Sequence, residues 1–280
     1  MGHGVSAVRE RVIRPWLLTL AGGVVLWLGL RTALLDTGNI NLVPSLIVLG
    51  ASLGPVVFVM YVYERVPEVP WPLLLVCFIA GGVLGVTAAS VLEYRTLLGL
   101  GALPTVAIGL IEESCKLLVP LAIFFAGRFR READGLLFGV ASGLGFAAFE
   151  SMGYGLTMLI LSHGQITAVE QLLIARTLLS PVGHGAWTGL ISAMLWRARI
   201  RDDVTGWLAV VAAFLTAVAL HALWDGSTAQ WEHVAIGLVS YGLLAWRIAV
   251  ADRAPHAPER RRAMPAQRPL RPLTGSSGRR

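Results

Sequence analysis

Long apolar runs limit what this chain can fold into more than any other feature. Runs of roughly 20 mostly apolar residues recur from about residue 15 to about residue 250. One such run crosses the hydrocarbon core of a bilayer as a helix. Inside lipid only helices and closed barrels satisfy their own backbone groups. These runs are too long for barrel strands and lack their alternation. Composition agrees, with 55% hydrophobic and 14% charged residues, where soluble domains carry about 25% charged. The sequence therefore predicts an all-α fold, a polytopic transmembrane helical bundle.

The expected spans are residues 15–35, 42–63, 71–92, 102–126, 134–161, 172–196, 204–224 and 233–250, about eight in all. The first is too long for a signal-peptide core of ~7–15 residues. Basic residues alternate from loop to loop. Arg9, Arg11 and Arg14 precede the first span, Arg65 follows the second, Arg128, Arg130 and Arg131 the fourth, and Arg197, Arg199 and Arg201 the sixth. Arg31 and Arg95 are the main basic residues on the other side. The positive-inside rule then puts both termini on the cytoplasmic side of the membrane. Three segments follow: a cytoplasmic stretch 1–14, a membrane domain 15–251 and a basic tail 252–280. The tail is rich in Arg, Pro, Gly and Ser and is expected to be disordered. Anionic lipid headgroups or plain solvent would satisfy it; no nucleic-acid partner is expected. Cys77 and Cys115 both fall inside spans, where filler packing is the simpler reading and no structural disulfide is expected.

Charge inside the apolar runs is where chemistry is sought, because an ionised group at the bilayer centre costs at least ~2.5–3.5 kcal/mol. Glu112, Glu113 and Lys116, the one lysine of the chain, share a helical run, and Lys116 projects between the two acids. Glu150 stands in the next span, beside a four-spaced row of small residues (Gly135, Gly139, Gly143, Ala147, Ser151, Gly155) that lets another helix approach closely. Alone there, it needs a partner on another helix or a proton. The sixth span carries a four-spaced polar row, Arg176, Ser180, His184, Thr188 and Ser192, with Pro181 able to kink it. Arg176 suits a buried carboxylate as counter-ion. His221 and Asp225 stand four apart on one helix face, as an oriented imidazole or as two ligands of one metal. Self-paired charge patches, a satisfied core histidine and an interfacial His–Asp pair are the structural alternatives. No G-x-S-x-G or H-E-x-x-H motif is present.

The ordered set E-E-x-x-K (Glu112, Glu113, Lys116), F-x-x-x-E (Phe146, Glu150), G-H-G-A-W-T (His184) and H-x-x-x-D (His221, Asp225) resembles the PrsW family of intramembrane proteases. That family is related to the CAAX prenyl endopeptidases and Abi proteins. The chain differs from the wider group's E-E-x-x-x-R, F-x-x-x-H and H-x-x-x-N by the position of Lys116, by Glu150 and by Asp225. The resemblance implies a protease acting on a membrane protein, in PrsW itself site-1 cleavage of an anti-sigma factor, with glutamate and metallo mechanisms both open. On that reading Glu112 or Glu113 is the general base, Lys116 keeps one of them ionised, and His221, oriented by Asp225, stabilises the oxyanion. Arg176 and Phe146 support the site or the substrate. In the metal version Glu150, His184, His221 and Asp225 are the ligands, and zinc suits their types. Glu113→Gln is expected to stay folded and lose cleavage. The competing classes are a proton-coupled transporter and an inactive scaffold. Against the transporter stand the lack of an internal repeat and of a pair of broken helices.

Overall fold

The structure is a computed structural model that describes residues 14–66 and 69–253. The expected N-terminal segment, but for Arg14, and nearly all of the basic tail lie outside the described residues. Among the described residues ten α-helices run in the order α1 (Pro15–Thr37), α2 (Val43–Tyr63), α3 (Trp71–Leu100), α4 (Thr105–Lys116), α5 (Leu118–Ala126), α6 (Glu132–Leu161), α7 (Ile166–Leu179), α8 (Ala186–Arg201), α9 (Val204–Gly226) and α10 (Gln230–Arg253). Among them α1, α2, α3, α6, α9 and α10 are long and apolar enough to cross a membrane unbroken.

The other two expected spans are present but interrupted, α4 to α5 at Leu117 and α7 to α8 through a π-turn at Pro181–Gly185. Proline explains both. Pro120 has no N–H to give the Lys116 carbonyl four residues back. That carbonyl accepts instead from Ser142 Oγ at 2.6 Å. Pro181 likewise leaves the Thr177 carbonyl free, and Gly54 of α2 packs directly against it while its N–H donates to Thr177 Oγ1 at 2.9 Å. Past the proline, Gly185 N–H reaches back five residues to the Ser180 carbonyl at 3.1 Å. Gly183 adopts φ −102°, ψ −106° within the turn. The absence of broken helices, used from the sequence against a transporter, is therefore corrected: two helices are broken.

Helix α6 is the centre of the bundle, packed between α3 and α8. Its small-residue row meets the polar row of the sixth span. A Cβ at Gly135, Gly139 or Gly143 would run into Ser192, Thr188 and His184 in turn. On the other face, Gly145 lies against the Phe78 carbonyl of α3, and Gly81 and Gly82 face Ser142 and Gly145. In lipid, where burial of apolar surface no longer drives helix pairing, such close backbone contact supplies the attraction. The end of the bundle that carries α6's N-terminus is tied by basic residues. Arg197 Nη1 lies 3.2 Å from Glu132 Oε2, Arg247 pairs with the same glutamate, and Arg199 reaches the Phe124 carbonyl. A smaller cluster joins α1, α2 and α7 around Leu46 and Val169, with Arg31 Nε 2.9 Å from Glu170 Oε1. Cys77 donates to the Phe138 carbonyl at 3.3 Å, and Cys115 packs with Ala89 and Phe146.

Candidate active site

One turn of α4 supplies the charge. Residues three and four apart on a helix are neighbours, so Lys116 reaches both acids: its Nζ stands 2.8 Å from Glu113 Oε1 and 3.0 Å from Glu112 Oε2. Lys116 and Glu113 are both 0% exposed and Glu112 is 7% exposed. The ammonium also lies 4.5 Å above the Phe146 ring, a cation–π contact across to α6. Glu113 is fully engaged. Beyond Lys116 it accepts from Thr188 Oγ1 at 3.3 Å and from His221 Nδ1 at 2.9 Å. Glu112 differs: its Oε2 is buried and makes no hydrogen bond, despite the charged groups around it.

Two imidazoles complete the centre, their rings 5.5 Å apart. The π-turn carries His184 inward, where its Nδ1 is 2.7 Å from Lys116 Nζ and its Nε2 is 3.3 Å from Glu150 Oε2. An ammonium only donates, so Nδ1 accepts and the ring proton sits on Nε2, facing Glu150. Helix α9 supplies His221, whose Nδ1–H points at Glu113. In the neutral ring Nε2 then holds a lone pair 3.5 Å from both Glu112 Oε2 and Asp225 Oδ2. Those three electron-rich atoms repel one another unless a proton or a cation lies among them. Trp187 stacks on His221 with centroids 4.8 Å apart and is itself held by a 2.9 Å bond from Nε1 to Ser240 Oγ.

All the residues singled out in the sequence arrive at this centre, in differing positions. Glu150 finds its partner on another helix: Arg176 Nη2 at 2.5 Å, with Arg176 Nε donating to Ser151 Oγ at 2.8 Å. Arg176 is thus the counter-ion expected of it. Phe146 forms the floor under Lys116 and His184. The carboxylate nearest His221 is Glu113, not Asp225. Glu93 escaped the sequence reading. It continues the α3 face on which Gly85 and Ala89 pack against Phe146 and Cys115, and its Oε1 is buried without a hydrogen bond. An isolated acid close to a predicted helix end gives no sequence signal of this.

A metal ion would find three donors here. One atom each of Glu112, His184 and His221 lies within 4.8 Å of the others. Two imidazoles and a carboxylate with an open fourth position suit zinc. The unbonded Glu112 Oε2 fits such a role, and a histidine that gives Nδ1–H to a carboxylate is a usual form of metal ligand. Glu150 and Asp225, expected as ligands, flank this set. Lys116 opposes it: while its ammonium donates to His184 Nδ1, neither nitrogen of that ring has a lone pair to offer.

Fold and site together define a multi-pass membrane protein with a buried centre of acids, imidazoles and one ammonium, built on two interrupted helices. The chain belongs to the PrsW family of intramembrane metalloproteases, which it matches over residues 69–251. Every site residue named above lies within that range. The chain is 30% identical over 146 residues to Protease PrsW of Halalkalibacterium halodurans. It is 26% identical over 144 residues to Protease PrsW of Shouchella clausii. Each alignment takes in 51% of this chain, and the chain spans 62% of the length of each relative. No solved structure matches it.

Proposed function

We propose that this chain is an intramembrane endopeptidase that hydrolyses a peptide bond of a membrane protein, with an anti-sigma factor as the first substrate to try. The observation that carries the reading is the convergence of Glu112, His184 and His221 from three separate helices on one buried spot. Glu112 Oε2 is the reactive oxygen, since Glu113 is already bound three ways. A zinc ion held by Glu112, His184 and His221 would supply an activated water and polarise the scissile carbonyl. Without metal, Glu112 Oε2 takes the proton of the attacking water as general base. Glu113 fixes the tautomer of His221 and steadies its ring when Nε2 gains a proton to face the oxyanion. Arg176 keeps Glu150 in place beside His184. Trp187 covers His221 and excludes water from that face.

The two broken helices also suit a transporter, whose sites are built on discontinuous helices. The polar groups nevertheless gather at one depth. Towards the end where α6 begins, the interior closes with Leu136, Leu137, Phe138 and Trp196, each about fully buried. Such packing favours a site entered from one side over a channel.

The test is cleavage of a membrane-embedded substrate by purified protein with known metal content, with and without chelator. Glu112→Gln is expected to lower the rate at least ~10²-fold, the scale of a lost general base. Undiminished cleavage by both Glu112→Gln and Glu113→Gln would overturn the reading.

A further inference from the structure

A cavity of about 220 Å³ adjoins the centre on the side away from α3 and α4. Its walls come from four helices and the π-turn. Ala175, Arg176 and Leu179 belong to α7, His184 to the turn, Trp224 to α9 and His233 to α10. Trp187, the residue that covers His221, forms the inner wall. Helices α7 and α10 face one another across this space and do not pack together. The cavity is thus a space between helices that leads to His184.

The chemistry of its lining selects what can fill it. Most of the polar groups there are already spent. Arg176 is committed to Glu150 and Ser151, and Ser180 Oγ to the Arg176 carbonyl. His184 lies between Lys116 and Glu150, and Trp187 Nε1 is bound to Ser240. His233 Nδ1 is held by the Ala229 carbonyl at 3.1 Å. Two indoles, a leucine, an alanine and the neutral Nε2 edge of His233 are left to meet an occupant, a mostly apolar set. A charged group entering would lose its water and find only neutral groups beside an Arg176 already paired with Glu150, a cost of several kcal/mol. An apolar group meets dispersion contacts alone. A cavity of about 150 Å³ is known to hold benzene, so this one has room for a phenyl ring or a leucine side chain.

Resting on the peptidase reading above, we infer that this cavity is the side-chain subsite beside the scissile bond, and that it selects a large uncharged apolar residue of the Leu, Met or Phe class. The subsite lies against His184, so a side chain seated in it brings its own peptide group over the Glu112–His184–His221 centre. Small side chains leave the space unfilled, and lysine or glutamate is rejected.

The experiment uses full-length protein in detergent and a peptide series that differs at one position: Leu, Phe, Ala, Lys and Glu. Binding is read by isothermal titration, and cleavage is read separately. Loss of two or three methylenes from a pocket costs at least about tenfold in discrimination. Wild type is therefore expected to bind Leu and Phe peptides at least about tenfold tighter than Ala, Lys and Glu peptides. Ala175→Phe fills the cavity from α7 and should bring the Leu and Ala peptides to within about twofold. Leu179→Trp does the same from the next turn, should Ala175→Phe fail to fold. Equal binding across the wild-type series, or an order that neither variant changes, overturns the inference. Ordered binding with no cleavage of any peptide overturns the peptidase reading and leaves the cavity as an apolar side-chain pocket with no scissile bond beside it.

Discussion

Among single residues, the two adjacent glutamates should separate cleanly. Glu113 is buried and holds Lys116, Thr188 and His221, so Glu113→Gln leaves an ammonium and an imidazole without their main carboxylate. Breaking a buried ion pair from one side costs about 3–5 kcal/mol. Glu113→Gln is therefore expected to lower the melting temperature in detergent and the cleavage rate together, against the sequence expectation of a soundly folded inactive variant. Glu112→Gln gives up one ion pair, to Lys116 at 3.0 Å, against the three partners of Glu113, so its melting temperature should fall less than that of Glu113→Gln while the rate is lost. Thermal unfolding of both variants beside a cleavage assay decides between them. Lys116 offers a second contrast. Its ammonium contacts Glu112 and His184, two of the three candidate ligands, and so stands in for a cation. If the lysine-held state is about 90% populated, zinc affinity is reduced about tenfold by that population alone. Lys116→Met should then bind zinc about tenfold more tightly while melting at a lower temperature without metal. Isothermal titration with zinc checks this, and weaker binding by Lys116→Met would assign the lysine a supporting role instead.

The helices show which parts of the design the sequence displayed. The four-spaced small row of α6 and the four-spaced polar row of the sixth span were both legible, because a helix repeats its faces every three to four residues. That the two rows pack on each other is a tertiary fact, and the sequence held no sign of which helix would fill the small row. Pro181 announced a kink, but not that the kink would be a π-turn turning His184 towards Lys116. Pro120 was passed over because its effect is felt four residues earlier, at a carbonyl that only Ser142 satisfies. Glu93 and the tight binding of Glu113 depend on neighbours from other helices and leave no pattern in the chain. The break at Pro181 carries its own prediction. Pro181→Ala restores the N–H that the Thr177 carbonyl lacks and relaxes the turn towards α-helix. Stability should hold or rise, since proline inside a helix costs about 3 kcal/mol. The shift of His184 should cost about 10²-fold in cleavage, the scale of a 1 Å misplacement. Unfolding temperature and rate measured on Pro181→Ala give the answer; an unchanged rate would mean that the turn is not what places His184.

For the whole molecule, the placement of charge fixes orientation. Trp16 N–H donates to Glu64 Oε1 at 3.2 Å, which puts the start of α1 beside the end of α2. Tyr63 packs on Trp71, bringing the start of α3 to the same end. Trp196 Nε1 donates to the Phe129 carbonyl at 3.0 Å, and Arg197 and Arg247 share Glu132, which adds the ends of α5, α8 and α10 and the start of α6. Arg65, Arg128, Arg130, Arg131, Arg197, Arg199 and Arg201 therefore gather at one face of the bundle, although they are scattered through the sequence. The opposite face has Arg31 and Arg95 as its main basic residues. Basic loops are retained on the cytoplasmic side during insertion, so we predict that the arginine-rich face is cytoplasmic and that the α3–α4 and α9–α10 connections face outward. Asp225 stands in the last turn of α9, near that outer face. In that orientation the Asp225 side of the acid–imidazole centre faces the outer surface, and a bond just inside the membrane on the outer side of a substrate is the expected point of attack. A reporter active only after export should be silent when fused after Ala251 and active when inserted between Gly226 and Gln230. The reverse pattern would turn the molecule over and put the centre near the cytoplasm, so the same two fusions also decide which end of a substrate is open to attack.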